Sequence, residues 1–315
     1  MSKADEETIP LSYKYHWSQD SEMPLKDFLA KYRPSMVQND GTKPWIWVSP
    51  PNKDDEHRSS RGEDQAIEEG CKLLEEVTAR VEEIKNDSSI PARSSKKTGA
   101  KGKKEIREQV QAEATEKLKE IALEHDYVVG KWLLFAPQAK VDAIWSDLAT
   151  SLVEGPLAKT KAFRAKVATS PPSETPNYQH VMCLYIPNVY DKDTVTSIMK
   201  ILLRNHGFNL SGVKSDLYTL IGLDSKHPSG IQSTELKEQY FAELMSNKSS
   251  AETSETTGDV SEKSNEPSAA KAKSKPKPKK KNDPFESDDD DKDDGAKKRA
   301  KDSDDEEEQP KKKQK

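Results

Sequence analysis

Trp45 and Trp47 stand two residues apart in the segment Pro44-Trp45-Ile46-Trp47-Val48. In an extended strand residues i and i+2 share a face, so the two rings would lie side by side. Such a pair can serve as a stacking platform, because every base has a π-face and each stack contributes about 1–3 kcal/mol. Burial is the commoner fate of tryptophan in a strand. The sequence favours a pair that covers the core beneath long helices, with the platform as the alternative. A second set of candidates is basic. Lys159, Lys161, Arg164 and Lys166 lead into a strand, and Lys214 stands near the start of another. Cations so placed can neutralise phosphates and release their counterions. A solvated charged loop is the simpler account, and the sequence favours it. Trp45, Trp47, Arg164, Lys166 and Lys214 are the candidates for contact with a ligand or RNA.

The patterns of catalysis are missing. Gly130-Lys131 has His125 where a phosphate-binding loop needs its first glycine, and no Ser or Thr follows the lysine; Lys97 spoils the frame ending at Gly102-Lys103 in the same way. There is no Gly-x-Ser-x-Gly elbow. The six histidines include no pair at i, i+4, so no metal is expected. His125 and His180 flank strands and read as surface or boundary residues. Cys71 and Cys183 fall on apolar patterns and read as small buried side chains. They form no metal spacing and no disulfide framework, which suits a reducing compartment. The expectation is a protein without cofactor that is not an enzyme. The alternative is an enzyme acting on a small nucleotide-like ligand in the concave face of a sheet.

The elements that would position these residues follow from periodicity. Residues 24–32 read as a short helix stopped by Pro34, and 44–48 as a strand. Ile67, Cys71, Leu74, Val77, Val81 and Ile84 recur every three or four residues and predict a helix over 63–85. Residues 86–103 break the pattern with Ser, Pro, Gly and Lys, the mark of a flexible basic loop. A second long helix is expected over 104–125, making 63–125 a helical insertion. Strands are expected at 131–135, 165–170, 180–186, 208–213 and 217–223. Helices carrying Trp145, and then Val195, Ile198, Met199, Leu202 and Leu203, separate some of them, with Asp191 or Asp193 as cap and Gly207 as stop. A last helix is expected over 233–244. The layout is α+β, with a folded domain at 1–245.

Charged residues make up 34% of the 315-residue chain and hydrophobic ones 32%, a balance that cannot pack throughout. The polar excess concentrates in 246–315, read as a disordered tail. Within it Lys271, Lys273, Lys275, Lys277, Lys279, Lys280 and Lys281 are followed by Lys297-Lys298-Arg299 and Lys311-Lys312-Lys313. Such clusters suit a nuclear import receptor or non-specific nucleic-acid contact. Residues 288–291 and 304–308 are acidic blocks, and Ser287 and Ser303 precede them as candidate phosphorylation sites. Residence in nucleus and cytoplasm is expected. No secretory signal and no membrane span are read, since no run approaches 18 apolar residues.

Five segments in order carry a resemblance: Leu29-Ala30-Lys31-Tyr32-Arg33-Pro34-Ser35, Pro44-Trp45-Ile46-Trp47-Val48, Gly130-Lys131-Trp132-Leu133 with Val141-Asp142-Ala143-Ile144-Trp145, Val181-Met182-Cys183-Leu184-Tyr185, and Lys214 through Gly222. Over residues 11–241 the chain resembles the basophilic-leukaemia-expressed protein family, an uncharacterised family with a fold like translation initiation factor 4E. The resemblance implies a curved, mainly antiparallel sheet with helices on its convex face. Cap-binding members of that fold hold a methylated guanine between two tryptophans and read its edge with a glutamate directly after one of them. Here the tryptophans are followed by Ser18, Ile46, Val48, Leu133 and Ser146, so weak or absent cap binding is expected. Trp132 and Trp145 match the buried tryptophans of the fold. The reading is a binding or adaptor protein that contacts RNA, a nucleotide or a protein partner.

Overall fold

The computed structural model describes residue 9 and residues 13–50, 62–96, 98–173 and 175–236. The tail, with its lysine clusters, acidic blocks, Ser287 and Ser303, lies outside the described residues.

In chain order the elements are β1 (His16–Ser18), α1 (Leu25–Lys31), β2 (Trp45–Ser49), α2 (Glu63–Asn86), α3 (Lys103–Glu124), β3 (Gly130–Pro137), α4 (Gln138–Val153), a 3-10 turn (Pro156–Lys159), β4 (Arg164–Ala168), β5 (Gln179–Ile186), α5 (Lys192–Arg204), β6 (Leu210–Ser215), α6 (Asp216–Leu220) and β7 (Glu235–Leu236). The seven strands form one sheet in the order β1-β2-β4-β5-β3-β6-β7. Only β1 and β2 run parallel; every other pair is antiparallel. The fold is mixed α and β around a mainly antiparallel sheet.

Alternation along each strand sends its side chains to two different layers. One layer is the main core. It takes Ile46 and Val48 from β2, Trp132 and Leu134 from β3, Ala165 and Val167 from β4, and Met182, Leu184 and Ile186 from β5. Against them pack α1, α4 through Val141, Trp145, Leu148 and Leu152, and α5 through Val195, Ile198, Met199 and Leu202. Trp132 and Trp145 are both fully buried there. Asp191 caps α5, its carboxylate accepting from Thr194 N at 3.2 Å and Thr194 Oγ1 at 2.6 Å. Gly207 closes the helix in the left-handed region, at φ 63°, with its N–H donating to Leu203 O.

A second core lies between α2 and α3. The two helices form an antiparallel hairpin: Lys103 Nζ reaches Lys85 O at one end, and Gly62 lies against His125 at the other. Leu74, Val77 and Val81 of α2 meet Ala114, Leu118 and Ala122 of α3 within a cluster that includes Leu217, Tyr218 and Ile221.

Three expectations need correction. Residues 217–223 are not a closing strand. Leu217 and Ile221 sit one helical turn apart in and after α6, and Gly70 of α2 admits their side chains closely; packing on the hairpin overrides the extended preference of Thr219 and Ile221. The helix expected over 233–244 begins instead as β7, where Glu235 and Leu236 pair with Val213 and Gly212 of β6; the remaining residues are outside the described set. His180 is buried completely, not at the surface. Its Nδ1 lies 2.8 Å from Ala168 O, and Tyr178 packs edge-on against its ring. β1 escaped the reading, because three residues show no periodicity. Tyr15 and Trp17, on either side of His16, bury into the main core while His16 points the other way.

Candidate functional site: a cationic and aromatic sheet face

The sheet face opposite α4 and α5 has its own composition. Strand register brings the residues of two rows side by side. In the first, Arg164 of β4 pairs with Tyr185 of β5, Tyr185 with Lys131 of β3, and Lys131 with Lys214 of β6. In the second, Trp47 of β2 pairs with Lys166 of β4, and Lys166 with Cys183 of β5. Trp45 lies on the same face two residues before Trp47. All five sequence candidates therefore share one face, although Lys214 stands three strands away from Arg164, roughly 14 Å at about 4.8 Å per strand.

The contacts are those of cations on rings. Lys166 Nζ lies 4.2 Å from the centre of Trp45, 4.8 Å from Trp47 and 5.6 Å from Tyr185. The Arg164 guanidinium lies 5.8 Å from both Trp47 and Phe163, and Lys131 Nζ lies 5.1 Å from Tyr185. Trp47 and Tyr185 stack at 6.0 Å with their planes 23° apart. The negative faces of these rings stabilise the ammonium groups, by about 2 kcal/mol where water is excluded. Lys131 also pairs with Asp216 at 2.9 Å, and Lys214 Nζ donates to Leu223 O at 2.8 Å.

Lys166 is 2% exposed and Trp47 is 2% exposed. The solvated-loop expectation thus fails for Lys166, because β4 is an interior strand between β2 and β5. It holds for Lys161, whose exposed ammonium meets Asp191 at 3.1 Å. Trp47 is buried in a core as expected, but the tryptophan pair does not lie beneath the long helices, whose cluster includes neither ring. Trp47 joins Phe163, Cys183 and Tyr185 in a small cluster of its own, with Trp45, Leu133, Ile9 and Tyr13 packed against it. Tyr13 donates its hydroxyl to Trp45 O at 2.6 Å, and burial pushes that hydroxyl's pKa up to about 12. At the edge His16 Nε2 lies 3.0 Å from Ser49 Oγ.

Lys131, Tyr185, Tyr13 and Asp216 were not singled out from sequence. A signal for Lys131 did exist. It is a lone cation inside the apolar strand Gly130–Pro137, in register with Leu133 at period two. Asp216 gave none, since its ion pair spans separate elements. Among the described residues no group of three or more His, Cys, Asp or Glu could hold a metal ion. An open groove of about 870 Å³ lies elsewhere, lined by Glu154, Pro156, Lys159, Lys161, Thr194 and Ile201, and includes none of the aromatic residues.

A sequence profile of the basophilic leukemia-expressed protein Bles03 family matches residues 3–208. The chain belongs to that family. The Bles03 match takes in Trp45, Trp47, Lys131, Arg164, Lys166 and Tyr185, while Lys214 and Asp216 follow its end.

Proposed function

We propose that this Bles03-family chain is a non-enzymatic binding protein, and that the cationic and aromatic face takes an anionic ligand with a flat ring: a nucleotide, free or within RNA. The observation that carries the reading is Lys166 seated over Trp45 and Trp47, beside Arg164 and Tyr185. Aromatic faces stack a base without regard to its identity, and the neighbouring cations suit its phosphate. The finer fold reading goes with it: a sheet curved like that of translation initiation factor 4E, helices α4 and α5 on the convex side and this face on the concave one.

Lys166 also bears on which ring fits. A methylated, positively charged guanine stacked on these rings would lie beside the Lys166 ammonium, and like charges at that distance repel, whereas an uncharged base meets no such repulsion. Together with the missing Trp-Glu pair, this favours uncharged bases over methylated caps. Ile9 and Tyr13 pack on the cluster, so a ligand gains the rings only when that contact yields. The affinity observed is then reduced by the fraction of chains that are open.

Tryptophan fluorescence of the full chain tests the reading. Uridine and guanosine triphosphates and a short oligouridylate should quench it saturably, and N7-methylated guanosine triphosphate should do so weakly or not at all. Lys166→Gln should weaken the unmethylated ligands about tenfold or more, the loss of one charge-assisted contact. Tyr13→Phe, which removes the bond to Trp45 O, should tighten them. Absence of saturable quenching by every unmethylated ligand, with Tyr13→Phe as well, refutes the proposal. Micromolar quenching by the methylated cap that Trp45→Ala or Trp47→Ala abolishes would establish cap binding in its place.

A further inference from the structure

The turn between α2 and α3 carries a charge that the sheet face does not use. Residues 93–104 contain Arg93, Lys96, Lys97, Lys101, Lys103 and Lys104 and no acidic residue. Arg93, Lys96, Lys101 and Lys104 are exposed; Lys97 lies outside the described residues. Acidic compensation is slight. Lys101 and Glu105 stand 4.0 Å apart and Lys104 and Glu108 3.9 Å apart, both exposed pairs within or at the start of α3, and such pairs contribute little.

The turn has a defined path. Ser95 N donates to Ala100 O and Gly99 N to Ser95 O, both at 2.9 Å. Lys103 N donates to Pro91 O, and Gly102 N to Ser94 Oγ, again at 2.9 Å. Gly102 is buried with backbone of Arg93 and Ser94 against it. These bonds hold the two arms of the turn together, so the cations are gathered before any partner arrives and less ordering entropy is lost on binding. The position is also set apart. From Gly70, where α2 packs on α6, to Asn86 at its end is 16 residues, or about 24 Å at about 1.5 Å each.

We propose that this turn is a second binding site, independent of the sheet face, for the phosphate backbone of a nucleic acid. Lysines and an arginine that outnumber the carboxylates beside them suit a repeating anion, and release of condensed counterions drives such contacts whatever the base sequence. The chain's own acidic blocks are the competing occupants. They are flanked in sequence by lysine blocks at 271–281, 297–299 and 311–313, which stand at higher effective concentration toward them than the turn does.

The experiment uses the full chain and a fourfold variant, Arg93→Gln with Lys96→Gln, Lys101→Gln and Lys104→Gln. Both are titrated with a labelled 20-nucleotide oligouridylate and a 20-base-pair DNA duplex at several salt concentrations. The variant should bind both probes more weakly, and the slope of log K against log salt should fall by about 2–3 for the single strand, at about 0.7 per phosphate contact. Lys96→Arg with Lys101→Arg should bind like the parent. Because the four side chains are exposed, the thermal midpoint should be unchanged, as should quenching by mononucleotide at the sheet face. Equal slopes and affinities for parent and variant would overturn the proposal. So would failure of the parent to bind either probe, or loss in the variant of binding to an acidic peptide spanning 286–308 alone.

Discussion

At the scale of single residues, the five tryptophans separate by what surrounds them. Trp132 and Trp145 are fully enclosed between the sheet, α4 and α5, and replacing either by alanine should cost about 3–5 kcal/mol. Trp45 is only partly buried, so Trp45→Ala should cost clearly less. Urea titrations of the three variants decide the matter, and equal large losses would remove the platform. His180 has a different consequence. Burial lowers its pKa below the model-compound value of 6.5, opposed by its bond to Ala168 O and by the charge of Asp142. The folded protein therefore keeps the ring neutral where the unfolded chain binds a proton. Its share of stability is complete above about pH 6.5 and is lost as pH falls from there toward the folded value. His206 is shifted the same way by burial. The urea midpoint should fall between about pH 7.5 and pH 5, and His180→Gln should flatten that fall. An unchanged slope would show that His180 does not drive it.

At the scale of elements, the site depends on how closely β3 and β6 approach. Gly130 begins β3 opposite Ser215, and a β-carbon there would meet Lys214 O and the Val189 side chain. Gly130→Ala should force these strands apart at a cost of about 1–3 kcal/mol, as overpacking does, and shift Lys131 against Lys214. Loss of stability without loss of nucleotide quenching would show that this end of the row is not part of the binding surface. The elements themselves were largely legible. Period three to four marked α2 and α3 to within one residue and located α4 and α5, and short apolar runs marked β2, β3, β4 and β5. β1, α6 and β7 were missed or misread. β1 and β7 have three and two residues, and α6 has five, little more than one helical turn; none is long enough to show its period, and each exists because a neighbour completes its hydrogen bonds or covers its apolar side.

At the scale of the whole molecule, the domain expected over 1–245 is proposed to fold without the tail. Thermal unfolding of residues 1–245 and of the full chain should agree within a few degrees; a large loss of cooperativity on truncation would move the boundary. The tail is proposed to carry the chain into the nucleus through Lys279, Lys280, Lys281, Lys297, Lys298 and Arg299. A fluorescent fusion with Lys271 through Lys281 and Lys297 through Arg299 changed to alanine should lose its nuclear signal, and persistence of that signal would refute the assignment. Phosphates on Ser287 and Ser303 would each add about −1.5 to −2 charge and draw the acidic blocks onto the neighbouring lysines. Ser287→Glu with Ser303→Glu should then weaken RNA binding, whereas unaltered affinity would dismiss that control.

The amino-acid sequence by itself determined the longer helices and strands, which face of each is apolar, and the family to which the chain belongs. It also placed Trp45 beside Trp47 and Arg164 beside Lys166, because period two is a local property. Tertiary structure decided that these pairs meet. Trp47 and Lys166 are more than a hundred residues apart in sequence, and their contact follows from β2 lying next to β4. Lys131, Tyr185 and Asp216 join them for the same reason. A residue's type and spacing state which way it points from its own strand, but the order of strands in a sheet is settled by how helices and loops close over the core. Only that order turned a stretch read as a solvated loop into a buried cation on aromatic rings.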